Sequence, residues 1–144
     1  MKKDPFGNLA DYRPVLELVH DLADKGKLAK CQPGLIRILR YKGNWRLREA
    51  VLKRVGEIQK PSEDLVSQVL SILADDNIYY DARILAGQAL IQLLKSPRNG
   101  FCGRINTEAQ KVTEKLRSTP QPTFFDATLE KLCFELNRHG TVEN

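Results

Sequence analysis

Cys102 lies between glycines in Gly100-Phe101-Cys102-Gly103, with Arg98 and Arg104 on either side. Cationic neighbours lower a thiol pKa and favour the thiolate, so nucleophilic chemistry would be sought here first. A catalytic cysteine also needs a base. Neither of the two histidines, His20 and His139, stands in a motif with it. The residues favour a bystander thiol. Cys31 and Cys133 bring the cysteines to three, odd in number and widely spaced, which argues for reduced thiols in a cytoplasmic chain. No Cys/His pair has zinc-ligand spacing, so neither metal nor cofactor is expected. Asp75-Asp76 reads as a helix stop. No Gly-rich phosphate loop, Gly-x-Ser-x-Gly elbow or His-Glu-x-x-His occurs, and the chain does not read as an enzyme.

A second kind of chemistry is charge. From Lys25 to Lys60 there are eleven Lys/Arg against two acids, a net of +9. From Pro61 to Leu94 one base faces five acids, a net of −4. Arg37, Arg40 and Lys42 have no acids close by in sequence, and with Lys27 and Lys30 they could form a patch. Arg46 and Lys53 add to it, although Glu49, Lys53 and Glu57 are four apart and partly self-paired. Trp45 and Tyr41 stand beside these cations, and stacking plus phosphate contact is how single strands are held. The bland alternative, a solvated basic surface, is favoured over a nucleic-acid footprint.

The elements that must carry these residues are helices. Leu9, Tyr12, Leu16, Val19 and Leu22 recur at spacings of three and four, which predicts a helix to about Asp24, closed by Gly26. Further helices are expected over about 33–41, 45–59, 62–74, 77–95, 106–117 and 123–138. Asn44 and Ser62 are expected as N-caps, and Gly140 as the last stop. No strand pattern occurs and no apolar run approaches the ~18 residues of a membrane span. Met1 to Pro5 has no apolar segment behind its lysines, so it does not read as a secretory signal. A chain of 144 residues can bury roughly 68–70% of its unfolded surface, enough for one core. The expected organisation is a loose arm over 1–8, one all-α domain over 9–140, and a tail over 141–144.

Two of those helices repeat. Thirty-five positions apart, Leu47-Arg48-Glu49-Ala50-Val51 lies under Ala82-Arg83-Ile84-Leu85-Ala86, Val55 under Leu90, Ile58 under Leu93 and Trp45 under Tyr80. A helical unit repeating in the thirties is the mark of a helical solenoid. With the shorter helix before each, the copies resemble the HEAT and HEAT-like (phycobilisome-lyase type) repeat family, over 33–60 and 61–95. The resemblance implies a short right-handed solenoid of antiparallel helix pairs, about seven helices in all, that grips other macromolecules. It also implies that Arg48 and Arg83 bond an Asp or a carbonyl in an inter-helix turn, with Asp75, Asp76 and Asp81 close in register.

In the second copy Ile84 and Ile91 stand where the first has Glu49 and Gly56, apolar on the face that is polar in the first copy, so that helix is apolar nearly all round and is expected to be central and buried. The alternative is that Ile84, Ile91, Tyr79 and Tyr80 form a dry contact for a partner helix. The expected function is a protein-interaction module, an adaptor or scaffold taking a partner protein on the face of the second helices. A charge boundary between the repeats would orient that partner, or a second copy in a homo-oligomer. The alternative is nucleic-acid binding through the basic first repeat. The third reading, a non-catalytic or lyase-type subunit of an enzyme, has no residues to carry it.

Overall fold

The computed structural model describes residues 3–96, 101 and 103–142, the side chains of 139–142 excepted. The described residues form seven α-helices and no strand. They are α1 (Tyr12–Asp24), α2 (Gln32–Arg40), α3 (Trp45–Val55), α4 (Glu63–Ala74), α5 (Tyr80–Lys95), α6 (Gly103–Arg117) and α7 (Thr123–Val142). A single 3₁₀ turn, Leu28–Cys31, leads into α2.

Local chemistry sets the ends. Asn44 Oδ1 accepts the Arg46 N–H at 2.9 Å, and Ser62 Oγ accepts that of Leu65 at 3.1 Å, each satisfying a first-turn donor. After α1, Gly26 N–H donates to the Ala23 carbonyl at 3.0 Å and Lys27 N–H to that of Leu22 at 2.8 Å. Gly26, at φ +68°, makes this left-handed stop possible. Asp75 caps α4, and its Oδ1 accepts the Asn77 N–H at 2.9 Å, turning the chain toward α5.

The helices stack in two layers. α1, α3, α5 and α7 touch in that order, as do α2, α4 and α6, and each of the latter packs on the helix that follows it. Short joints such as 41–44 turn each helix back on the next. This packing is compatible with a helical solenoid. The core between the layers is continuous: Leu35, Leu47, Val51, Val69, Leu73, Leu90, Leu93, Phe125 and Leu129 are all buried. Each such side chain contributes about 1.5–3 kcal/mol by leaving water. α5 is the central helix, packed on α3, α4 and α7. On α6 and α7, Gln110, Glu114, Arg117 and Asn137 rim a shallow cavity of about 400 Å³.

Several expectations need correction. Residues 3–8 are no loose arm: Phe6 is 5% exposed and Asp4 is bonded to α2. Leu9 is buried but precedes its helix, because Asn8 Oδ1 accepts the Ala10 N–H at 3.0 Å and holds a turn. Pro14 is therefore the third residue of α1, where no N–H partner is required. α6 begins at Gly103, earlier than the spacing suggested, and α7 runs through Gly140 to Val142. Most of the expected loop around Cys102 lies outside the described residues, as does part of the tail.

Candidate binding surface

Arg48 and Arg83 occupy equivalent places in α3 and α5. Arg48 Nε donates to the Leu39 carbonyl at 3.2 Å and its Nη2 to that of Tyr41 at 3.4 Å. Arg83 Nε donates to the Leu73 carbonyl at 3.0 Å, and its Nη2 reaches Asp76 Oδ1 at 3.4 Å. Leu39 and Leu73 are each the last residue but one of the preceding helix, where carbonyls lack intrahelical donors. Each guanidinium thus ties one helix's C-terminus to the next helix. Arg83 is buried, with its guanidinium 4.7 Å from the Phe125 ring centre and 5.2 Å from that of Tyr80. Asp76 is exposed, and Asp75 is occupied by its own turn, so the carbonyl is the principal partner.

The first turns of α1, α3, α5 and α7 lie side by side. Arg46 sits 6.0 Å from the Tyr12 ring centre and 5.3 Å from that of Trp45, a cation stacked between two aromatics. Tyr79 donates its hydroxyl to Glu49 Oε2 at 2.7 Å. Burial, then that carboxylate, pushes the Tyr79 phenol above its ordinary range. Tyr80 meets Phe124 edge to face at 6.1 Å and donates to Gln121 Oε1 at 3.2 Å. Near Tyr12, the Arg13 guanidinium lowers the phenol pKa.

One cation of the expected basic patch is paired within the chain. Arg37 forks onto Asp4, with Nε to Oδ2 at 2.6 Å and Nη2 to Oδ1 at 2.9 Å. The acid that sequence distance hid is supplied by the segment ahead of α1. Arg40 Nε donates to Gln68 Oε1 at 2.8 Å. Lys42, Arg46 and Lys53 are exposed, and Arg46 makes no ion pair among the described residues.

Ile84 and Ile91 are neither fully buried nor fully exposed. Ile91 forms, with Ala127 and Phe134, the apolar floor of a groove of about 590 Å³ between α5 and α7, rimmed by Lys95, Glu130 and Lys131. Phe134 is 67% exposed and Phe124 57%, the two most exposed large apolar side chains of the described residues. The sequence reading singled out neither ring. The signal was present: Phe125, Leu129, Leu132 and Leu136 already fill a stripe at helical spacing, which leaves both other rings outside it.

Cys31 is buried, and burial raises its thiol pKa, the opposite of activation. Among the described residues no three His, Cys, Asp or Glu side chains gather closely enough to hold a metal ion, and no helix is long and apolar enough to cross a membrane. His20 is exposed on α1, and the side chains of Cys102 and His139 lie outside the described residues. Compared with known proteins, the chain matches no family model, no curated sequence and no solved structure.

Proposed function

We propose that this chain is a HEAT-like, non-catalytic binding module that takes a partner protein across the exposed side of α3, α5 and α7. One observation carries the reading. Among the described residues, the exposed large hydrophobic side chains, Trp45, Tyr79, Phe124 and Phe134, all belong to α3, to the N-cap of α5 or to α7. Such side chains scattered singly need no explanation, whereas several gathered on one layer mark a contact surface. Aromatics and Arg are also the residues that anchor protein interfaces. The groove beside Ile91 and Phe134 offers an apolar floor with a rim of both signs, Lys95 and Lys131 beside Glu130 and Glu135, which suits an amphipathic helix. The test is to compare what the wild-type chain and a Trp45→Ala/Phe124→Ser/Phe134→Ser chain retain at low and high salt. Retention that survives salt and is lost in the variant supports the reading; equal retention by both refutes it.

A nucleic-acid reading keeps one favourable observation, Arg46 stacked between Tyr12 and Trp45 with Arg13 nearby. It stands second because Arg37, one of its expected cations, is already paired with Asp4. Micromolar binding to labelled single strands that falls steeply with salt, and disappears in Arg46→Glu, would put it first.

A further inference from the structure

Residues Lys3 to Gly7 cross the start of α2 and are held through main chain, carboxylate and ring. Gly34 N–H, in the first turn of α2 where it has no intrahelical acceptor, donates to the Lys3 carbonyl at 3.2 Å. The Arg37 guanidinium takes both oxygens of Asp4 and also donates from Nη2 to the Gly7 carbonyl at 2.8 Å. Phe6 is buried beside them. Asp4 Oδ1 accepts the Phe6 N–H at 3.2 Å, which fixes the carboxylate and the ring relative to each other.

The floor under this segment is shaped for it. A Cβ at Gly34 would lie 2.7 Å from Phe6 Cδ2 and 2.9 Å from Asp4 Oδ1, so only glycine leaves room for both. A guanidinium fork for an acid, a slot for a ring and a donor for a carbonyl are the parts of a peptide-recognition site. Here a short stretch of the chain itself fills all three.

We propose that the Gly34–Arg37 face of α2 is a short-peptide site for an Asp-x-Phe segment, kept closed by the chain's own Asp4 and Phe6. A partner carrying an acid, one spacer and an aromatic competes for the same fork and slot. The tethered arm acts at a high effective concentration, so an outside peptide binds well only once the arm is displaced. The site lies on the α2 layer and does not rest on the α3, α5 and α7 reading.

The test uses the full chain with Asp4→Ala/Phe6→Ala, which empties the fork and the ring slot and leaves the arm only its two main-chain bonds. The probe is a capped, fluorescein-labelled peptide with the sequence of residues 2–8. Circular dichroism and a thermal melt accompany the titration. Saturable binding to the folded, emptied chain is expected, with the wild type at least ~10-fold weaker because its own arm competes. Adding Arg37→Ala or Gly34→Leu to the emptied chain should abolish binding. Three results would overturn the proposal. A folded, emptied chain could ignore the peptide. Wild-type and emptied chains could bind it equally. The emptied chain could fail to fold, making the arm a fixed part of the core.

Discussion

Arg83 and Leu73 are joined across the turn between α4 and α5 by a 3.0 Å bond from guanidinium to main-chain carbonyl. Arg48 and Leu39 repeat it between α2 and α3 at 3.2 Å. The recurrence matters because an unsatisfied carbonyl at a buried helix end is costly. Each repeat solves that problem with the same side chain at the same place.

Removing the Arg83 side chain leaves the Leu73 carbonyl without this donor and empties space beside Phe125. Arg83→Ala is expected to cost about 3 kcal/mol, a fall in Tm of roughly 10 °C for a chain of this length. Arg48 is less buried, and Arg48→Ala should cost less. The Asp76 side chain is 88% exposed, so Asp76→Ala should change stability by under ~0.5 kcal/mol. Thermal or urea unfolding of the three variants gives the order. Equal losses for Arg83→Ala and Asp76→Ala would show that the ion pair, not the carbonyl, is what Arg83 serves.

That relationship was legible in the sequence, because Arg48 and Arg83 fall in register and their partners lie only nine or ten residues back. So was the all-helical class, which rests on local spacing. What escaped notice was long-range. Arg37 looked unpaired because its acid is 33 residues away, in a stretch that Pro5, Gly7 and Asn8 marked as loop. Phe6 is a lone apolar residue there, and periodicity is silent about single residues. Ile84 and Ile91 defeated a simple choice between buried and exposed, since α7 covers α5 only in part. Phe134 belongs to the same uncovered strip.

Gly87 marks the close approach of α5 and α7. A Cβ there would meet Thr128 Cγ2 at 2.6 Å. Gly87→Ala gains about 1 kcal/mol of helix propensity, yet it forces Thr128 to move in a packed interface at a cost of about 1–3 kcal/mol. A net loss near ~1 kcal/mol is expected. Thr128→Ser removes the offending methyl and should recover most of it in the double variant. A double-mutant cycle measures the coupling, and a Gly87→Ala chain more stable than wild type would contradict the packing described.

Asp4 gives the fold an acid-sensitive contact. The Arg37 fork, chiefly, holds its carboxyl below the ordinary value. A depressed folded pKa means that the contact stabilises the fold above the unfolded carboxylate pKa of about 3.9. The contribution disappears as pH falls through the lowered folded value. An NMR titration should place the Asp4 midpoint below ~3.9, with the Phe6 ring resonances moving in step as the arm releases. Asp4→Asn should remove that dependence. A midpoint at or above the ordinary value would mean that the fork does not persist in solution.

Trp45 is the sole tryptophan and is 54% exposed, so its emission reports one edge of the proposed binding layer. Red-shifted emission readily quenched by iodide is expected for the unbound chain. Arg46→Ala, which removes the stacked guanidinium, should change that emission without altering the melting temperature by more than a degree or two. A blue-shifted, unquenched spectrum would place Trp45 in a covered environment.

The most direct test of the binding layer is site-specific photo-crosslinking in the native host. A benzophenone amino acid is placed in turn at Phe134, at Phe124 and at Ser71, an exposed residue of α4 on the opposite layer. Discrete protein adducts from positions 134 and 124, with none of the same mass from 71, are the expected result. Adducts confined to position 71, or nuclease-sensitive adducts from 134 and 124, would contradict a protein partner on α3, α5 and α7.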